Sequence, residues 1–141
     1  MLPFELVEYR DRVKRTLESM GQLGIETLLV TNPANMCWLT GYDGWSFYVH
    51  QMVIVSAALD EPLWVGRLMD ANAARVTTYL KPESIYGYPD KYVQSTERHP
   101  MNYVSDLLKE KGLAGGSVGV EMETYYFTAA CLTTLLTDLT D

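Results

Sequence analysis

Two histidines, His50 and His99, and two cysteines, Cys37 and Cys131, are the chain's whole supply of imidazole and thiol. Metal chemistry usually draws such ligands from short, repeated spacings such as Cys-x-x-Cys or His-Glu-x-x-His, and neither occurs. The cysteines lie far apart, each in an apolar run, and read as buried free thiols rather than a disulfide framework. No Gly-x-Ser-x-Gly elbow presents a serine nucleophile. The glycines between Gly112 and Gly119 precede a strand and carry no Lys-Ser/Thr, whereas a phosphate loop must follow a strand and open a helix. They read as a tight helix-to-strand connection.

The carboxylates give little more. Glu121 and Glu123 flank Met122 and would share a face if the strand there continued. An acid/base pair, however, needs a cleft and a raised pKa. Glu123 reads better as an acid opening the last helix near its positive end, and Asp70 as a helix cap rather than a metal ligand. No oxygen or nitrogen ligands converge in the sequence, so the chain is expected to hold no catalytic residue, no metal ligand and no cofactor. What stands out is Trp38–Gln51, where Trp38, Tyr42, Trp45, Phe47 and Tyr48 surround Gly41 and Gly44, with His50 as the polar end. Aromatics on such a loop can wall a small-ligand pocket, anchor an interface or cap a sheet edge, and composition does not choose among these.

The elements that must position this loop follow from periodicity. Leu6, Tyr9, Val13, Leu17 and Met20 recur three or four apart, with Glu8, Arg12, Lys14, Arg15 and Glu18 between them. They predict an amphipathic helix stopped near Gly21 or Gly24. Ile25 to Thr31 is a buried strand closed by an Asn32-Pro33 turn. Tyr48 to Ala57 and Leu63 to Val65 form a hairpin, and a helix from Asp70 runs through Tyr79 toward Pro82. Ser84 to Tyr88 is a short strand. Pro100 opens a helix that Gly112 ends, Ser117 to Met122 is another strand, and Thr124 to Leu139 is a last helix. This order predicts an α/β, three-layer domain with a mixed sheet of about five strands flanked by helices.

Composition sets the outer bounds. At 141 residues, 48% hydrophobic and 21% charged, the chain suits one globular domain spanning 1–141. A net charge of −7 argues against nucleic acid, which needs a basic face. No apolar run approaches a bilayer span and no signal segment opens the chain, so a cytoplasmic protein is expected. The chain stops just after a helix, which suggests a piece of a longer protein.

The run Leu28-Leu29-Val30-Thr31-Asn32-Pro33-Ala34-Asn35-Met36, followed by Trp38-Leu39-Thr40-Gly41-Tyr42, resembles the signature of creatinase/prolidase (aminopeptidase P-like, pita-bread) N-terminal domains. Gly119-Val120-Glu121 with Tyr125-Tyr126-Phe127 fits the same pattern. Within the family, Gly41–Gln51, Met69–Ala73, Tyr88–Gln94 and His99–Tyr103 are similar to ectoine hydrolases, which open a cyclic amidine, while other members cleave Xaa-Pro peptides or hydrolyse creatine. The resemblance implies a ribonuclease H-like mixed sheet and a homodimer. It also implies a C-terminal pita-bread catalytic domain, absent here, which would hold any divalent metal. To this half it assigns dimerisation and a lid over the partner subunit's pocket, with Trp45, Tyr48 and His50 as the substrate-side residues. A dipeptide is the alternative substrate to ectoine. Two other readings stand beside it: a stand-alone α/β binding module, and a small hydrolase using Glu121 and Glu123.

Overall fold

The computed structural model describes residues 1–140. Ten helices and strands follow one another: α1 (Leu6–Leu23), β1 (Thr27–Val30), α2 (Pro33–Thr40), β2 (Met52–Ser56), β3 (Leu63–Arg67), α3 (Ala71–Thr77), β4 (Ile85–Tyr88), α4 (Pro100–Glu110), β5 (Val118–Val120) and α5 (Ala129–Leu139). The sheet order is β4-β3-β2-β1-β5. β2 pairs antiparallel with both β1 and β3, while β1 pairs parallel with β5 and β3 with β4. Thus β2 alone runs against the other four strands, whose carboxyl ends all open on one edge of the sheet.

The pleat sorts β2 between two cores. Met52 and Ile54 face Met101, Val104 and Leu108 of α4 and Cys131 and Leu135 of α5. Val53 and Val55 face the other way, with Met20 of α1, Met36 and Leu39 of α2, Trp64 of β3 and Ala74 of α3. All five residues of β2 are buried, as a central strand covered on both faces requires. The mixed five-stranded sheet with helices on both faces is the architecture the sequence predicts.

Four local readings change. Asn32-Pro33 is not merely a turn: Asn32 accepts from the Ala34 and Asn35 amides and Pro33 is the first residue of α2. That helix ends at Gly41, whose φ of +82° closes it in the left-handed region. Arg12, placed by periodicity on the solvent face of α1, is 6% exposed. It donates to the Trp38 carbonyl at 3.0 Å and its guanidinium lies over the Phe4, Tyr9 and Trp38 rings, so a cation helps join α1 to α2. Asp70 precedes α3 but makes no capping bond, because the 3-10 turn Leu68–Asp70 runs straight into that helix with Asp70 already helical. The last helix begins at Ala129 with Thr128 as its cap, so Thr124–Thr128 is a turn and exposed Glu123 does not sit at a helix start.

Candidate functional site

The open edge where β1, β3, β4 and β5 end is where α/β sheets place ligands. Several segments converge there: the loop leading into β2, the start of α4, and the start of α5. His50 comes from the loop, His99 is the N-cap of α4, and Cys131 lies in the first turn of α5. One donor atom from each lies within 4.8 Å of the others. The fold therefore makes a cluster that sequence spacing does not show, since residues 50, 99 and 131 share no local motif.

The Cys131 Sγ stands 3.6 Å from Nδ1 and 3.8 Å from Nε2 of His50, and 3.4 Å from the Thr128 hydroxyl. Burial pushes the thiol upward, but hydrogen bonding by His50, His99 and Thr128 outweighs it and brings the group down to about 5. His50 moves upward, chiefly through its bond to Cys131 and despite its own burial. Both shifts come from one contact: the Cys131–His50 pairing favours the charged form of each group. Cys37 shows the contrast, being pushed up chiefly by burial with no imidazole beside it.

The histidines also border a cleft of about 200 Å³, with Tyr48, Tyr88, Tyr92 and Arg98 among its walls. Tyr88 is fully buried, and its hydroxyl donates to the His50 carbonyl, fixing the loop at the start of β2. At the other end of the loop, Tyr42 donates to Gln51 at 2.7 Å, and a Cβ on Gly44 would overlap the Tyr42 ring. Glycine is therefore required for the chain to cross so closely over that tyrosine.

Of the three residues singled out as substrate-side, Tyr48 and His50 line this cleft, and Trp45 does not. Trp45 is 83% exposed and rests on Phe47, with ring centroids 5.7 Å apart. Phe47 in turn meets Tyr48 at 6.2 Å and Tyr126 at 6.4 Å. An exposed aromatic ridge thus runs beside a cleft holding two histidines and an arginine. His99 and Arg98 were missed as site residues; the proline after them signals a helix start, which masks any other role.

Glu121 lies on the same edge but is occupied otherwise. Its carboxylate accepts from the Thr31 amide at 2.6 Å, the Asn32 amide at 2.9 Å and the Asn35 side chain at 2.6 Å. The two most recognisable sequence segments, Thr31–Asn35 and Gly119–Glu121, are therefore two halves of one clamp. Its acceptors are spent on structure, which removes Glu121 from the acid/base role considered above. A roomier cleft of about 420 Å³ lies at the opposite end of the sheet, between Leu17, Ile25, Ser56 and Leu113. Its lining holds no histidine or cysteine.

Residues 12–140 match the family model for the Creatinase/Prolidase N-terminal domain. The chain belongs to that family. An ectoine hydrolase of Halomonas elongata is 47% identical over 139 residues, covering 98% of this chain and 35% of the relative. An uncharacterised hydrolase/peptidase of Sinorhizobium fredii is 43% identical over 129 residues, covering 92% of the chain and 33% of the relative. The chain thus spans about a third of the length of these relatives. Among solved structures, the N-terminal domain of an Xaa-Pro dipeptidase from Lactobacillus brevis superposes with a TM-score of 0.73 at 16% identity, covering 92% of this chain and 88% of that one. A proline dipeptidase from Streptococcus pneumoniae gives 0.70 at 19%, covering 91% and 84%. These likenesses establish the creatinase/prolidase N-terminal fold. No helix among the described residues is long and apolar enough to cross a membrane.

Proposed function

We propose that this creatinase/prolidase N-terminal domain serves a longer cytoplasmic hydrolase that opens the cyclic amidine of ectoine. In this reading it contributes no catalytic group. It helps the enzyme dimerise and shapes the substrate pocket, across the dimer, through Trp45, Tyr48 and His50. Any divalent metal belongs to the catalytic half. The observation that carries the proposal is the 47% identity to an ectoine hydrolase over almost the whole chain. The geometry supports it physically. A cyclic amidinium bearing a carboxylate is a small zwitterion, and the exposed ridge of Trp45, Phe47 and Tyr48 offers π-faces to its cation. The Arg98 guanidinium in the adjoining cleft offers charge and N–H donors to its carboxylate.

The second reading, an Xaa-Pro dipeptidase, draws on the solved dipeptidases, but at 14–19% identity these speak for fold alone. The substitutions Trp45→Ala and Tyr48→Ala, each made in the enzyme that carries this domain, are expected to lower kcat/KM for ectoine about two- to fivefold, the loss of one exposed cation–π or packing contact. Unchanged kinetics in both would remove these residues from the pocket, and a preference for Xaa-Pro dipeptides over ectoine would install the second reading.

A further inference from the structure

We infer that Cys131, in contact with the His50 ring and beside His99 at the first turn of α5, forms a site where small disulfides modify this domain covalently. The cluster admits two chemistries, a soft metal site or a hydrogen-bonded thiolate, and proton accounting separates them. His99 caps α4, its Nδ1 accepting the Met101 amide at 3.1 Å while the Asn102 side chain accepts the His99 amide at 2.7 Å. A ring nitrogen that accepts an N–H carries no proton, so neutral His99 must be protonated at Nε2. That leaves an N–H donor for the sulfur and no lone pair for a metal. Metal binding through Nε2 would put a proton on Nδ1, facing the Met101 amide donor to donor, and would break the cap.

A thiolate needs donors, and the site supplies them from three elements. His50 reaches the sulfur from the loop, and its ring also bonds the Tyr126 backbone. At the start of α4, a His99 ring nitrogen lies within 4.8 Å of the sulfur, and the Thr128 hydroxyl lies at 3.4 Å at the start of α5. Cys131 is the third residue of α5, where the helix dipole favours negative charge, and its own amide is capped by Thr128. Tyr88 is the further titratable group that senses the sulfur; its burial holds it neutral, so it brings no competing charge. The sulfur has no exposed surface of its own. The His50 and His99 rings within 4.8 Å of the sulfur line the cleft, so a reagent entering there must displace one of them to reach it.

The step is thiol–disulfide exchange. The Cys131 thiolate attacks one sulfur of a small disulfide, a new S–S bond forms, the old one breaks, and its electron pair leaves on the second sulfur as a thiolate that takes its proton from solvent. No further oxidant is required.

The experiment uses the chain with Cys37→Ser, so that Cys131 is the sole thiol, and 4,4′-dithiodipyridine as the probe. The low pKa reduces nucleophilicity, so absolute speed at neutral pH is a poor readout; the pH profile is the informative one. The rate is expected to change less than about twofold between pH 6 and 8, whereas an ordinary thiol gains about tenfold per pH unit over that range. His50→Asn is expected to restore much of that slope. Titrating the ultraviolet absorbance of the folded Cys37→Ser chain gives a second readout independent of access and of any histidine variant. The thiolate band is expected to be fully present at pH 7. A tenfold-per-unit slope, a missing band at pH 7, or a folded chain that resists a probe that labels it when denatured would each overturn the inference. Stoichiometric protection by zinc ion would overturn it in favour of a metal site.

Discussion

Replacing Trp64 with alanine is expected to destabilise the domain by about 3–5 kcal/mol, the range for deleting a large buried aromatic. The indole is fully buried on β3 and packs against Tyr42, ring centroids 5.3 Å apart. It lies over Gly66, where a Cβ would sit 2.5 Å from the ring, so the strand was left bare to receive it. Val30, Met36, Val53 and Ile85 belong to the same core, and they come from four other elements. No single neighbour can collapse into the space, which places the loss toward the upper end. Urea unfolding followed by circular dichroism measures it as a lower midpoint at unchanged slope. A loss below about 1 kcal/mol would show that α2 and α3 are not packed on the sheet as described.

Glu121→Ala is expected to cost about 2–3 kcal/mol, the second large effect. One carboxylate serves two backbone amides at the end of β1 and the Asn35 side chain on α2. Charge-assisted bonds of this kind contribute about 1.5–3 kcal/mol each, but three on one group do not add, and the site is partly exposed. Glu121→Gln retains an acceptor and is expected to lose less than half as much. The same pair of variants bears on the small-hydrolase reading: an acid/base role predicts intact folding with lost activity, the clamp predicts lost stability. Equal stability of wild type and Glu121→Ala in urea would refute the clamp.

These two residues show what was legible in the sequence. Trp64 sits in a short apolar run that reads as a strand, and the alternation of strands with helical periods was enough to predict a mixed five-stranded sheet with helices on its faces, but not its strand order. The motif around Asn32 and Asn35 and the Gly-Val-Glu segment were visible as family resemblance, but their meaning was not. They are 86 residues apart at the closest bond, Asn35 to Glu121, and only the parallel pairing of β1 with β5 brings them together. α2 was hidden because Asn32-Pro33 is equally good as a turn or as a helix start. Arg12 was hidden because periodicity reads a cation as solvated, and only the carbonyl and rings around it explain its burial.

The site follows the same division. The aromatic loop is a local feature of composition, and it lies beside the cleft on the open edge. The His50–His99–Cys131 cluster is not local at all. It arises because a loop end, a helix cap and a helix first turn all come to the carboxyl edge of four parallel strands. Spacing rules suited to metal motifs are blind to that kind of convergence.

Ectoine turnover tests the functional account most directly. The reading frame that encodes this chain, expressed with whatever follows Asp141, is compared with the 141-residue chain alone for formation of the ring-opened N-acetylated diaminobutyrate. The account predicts turnover by the longer protein and none by the chain. Turnover by the 141 residues alone, or cleavage of Xaa-Pro dipeptides but not ectoine by the longer protein, would contradict it.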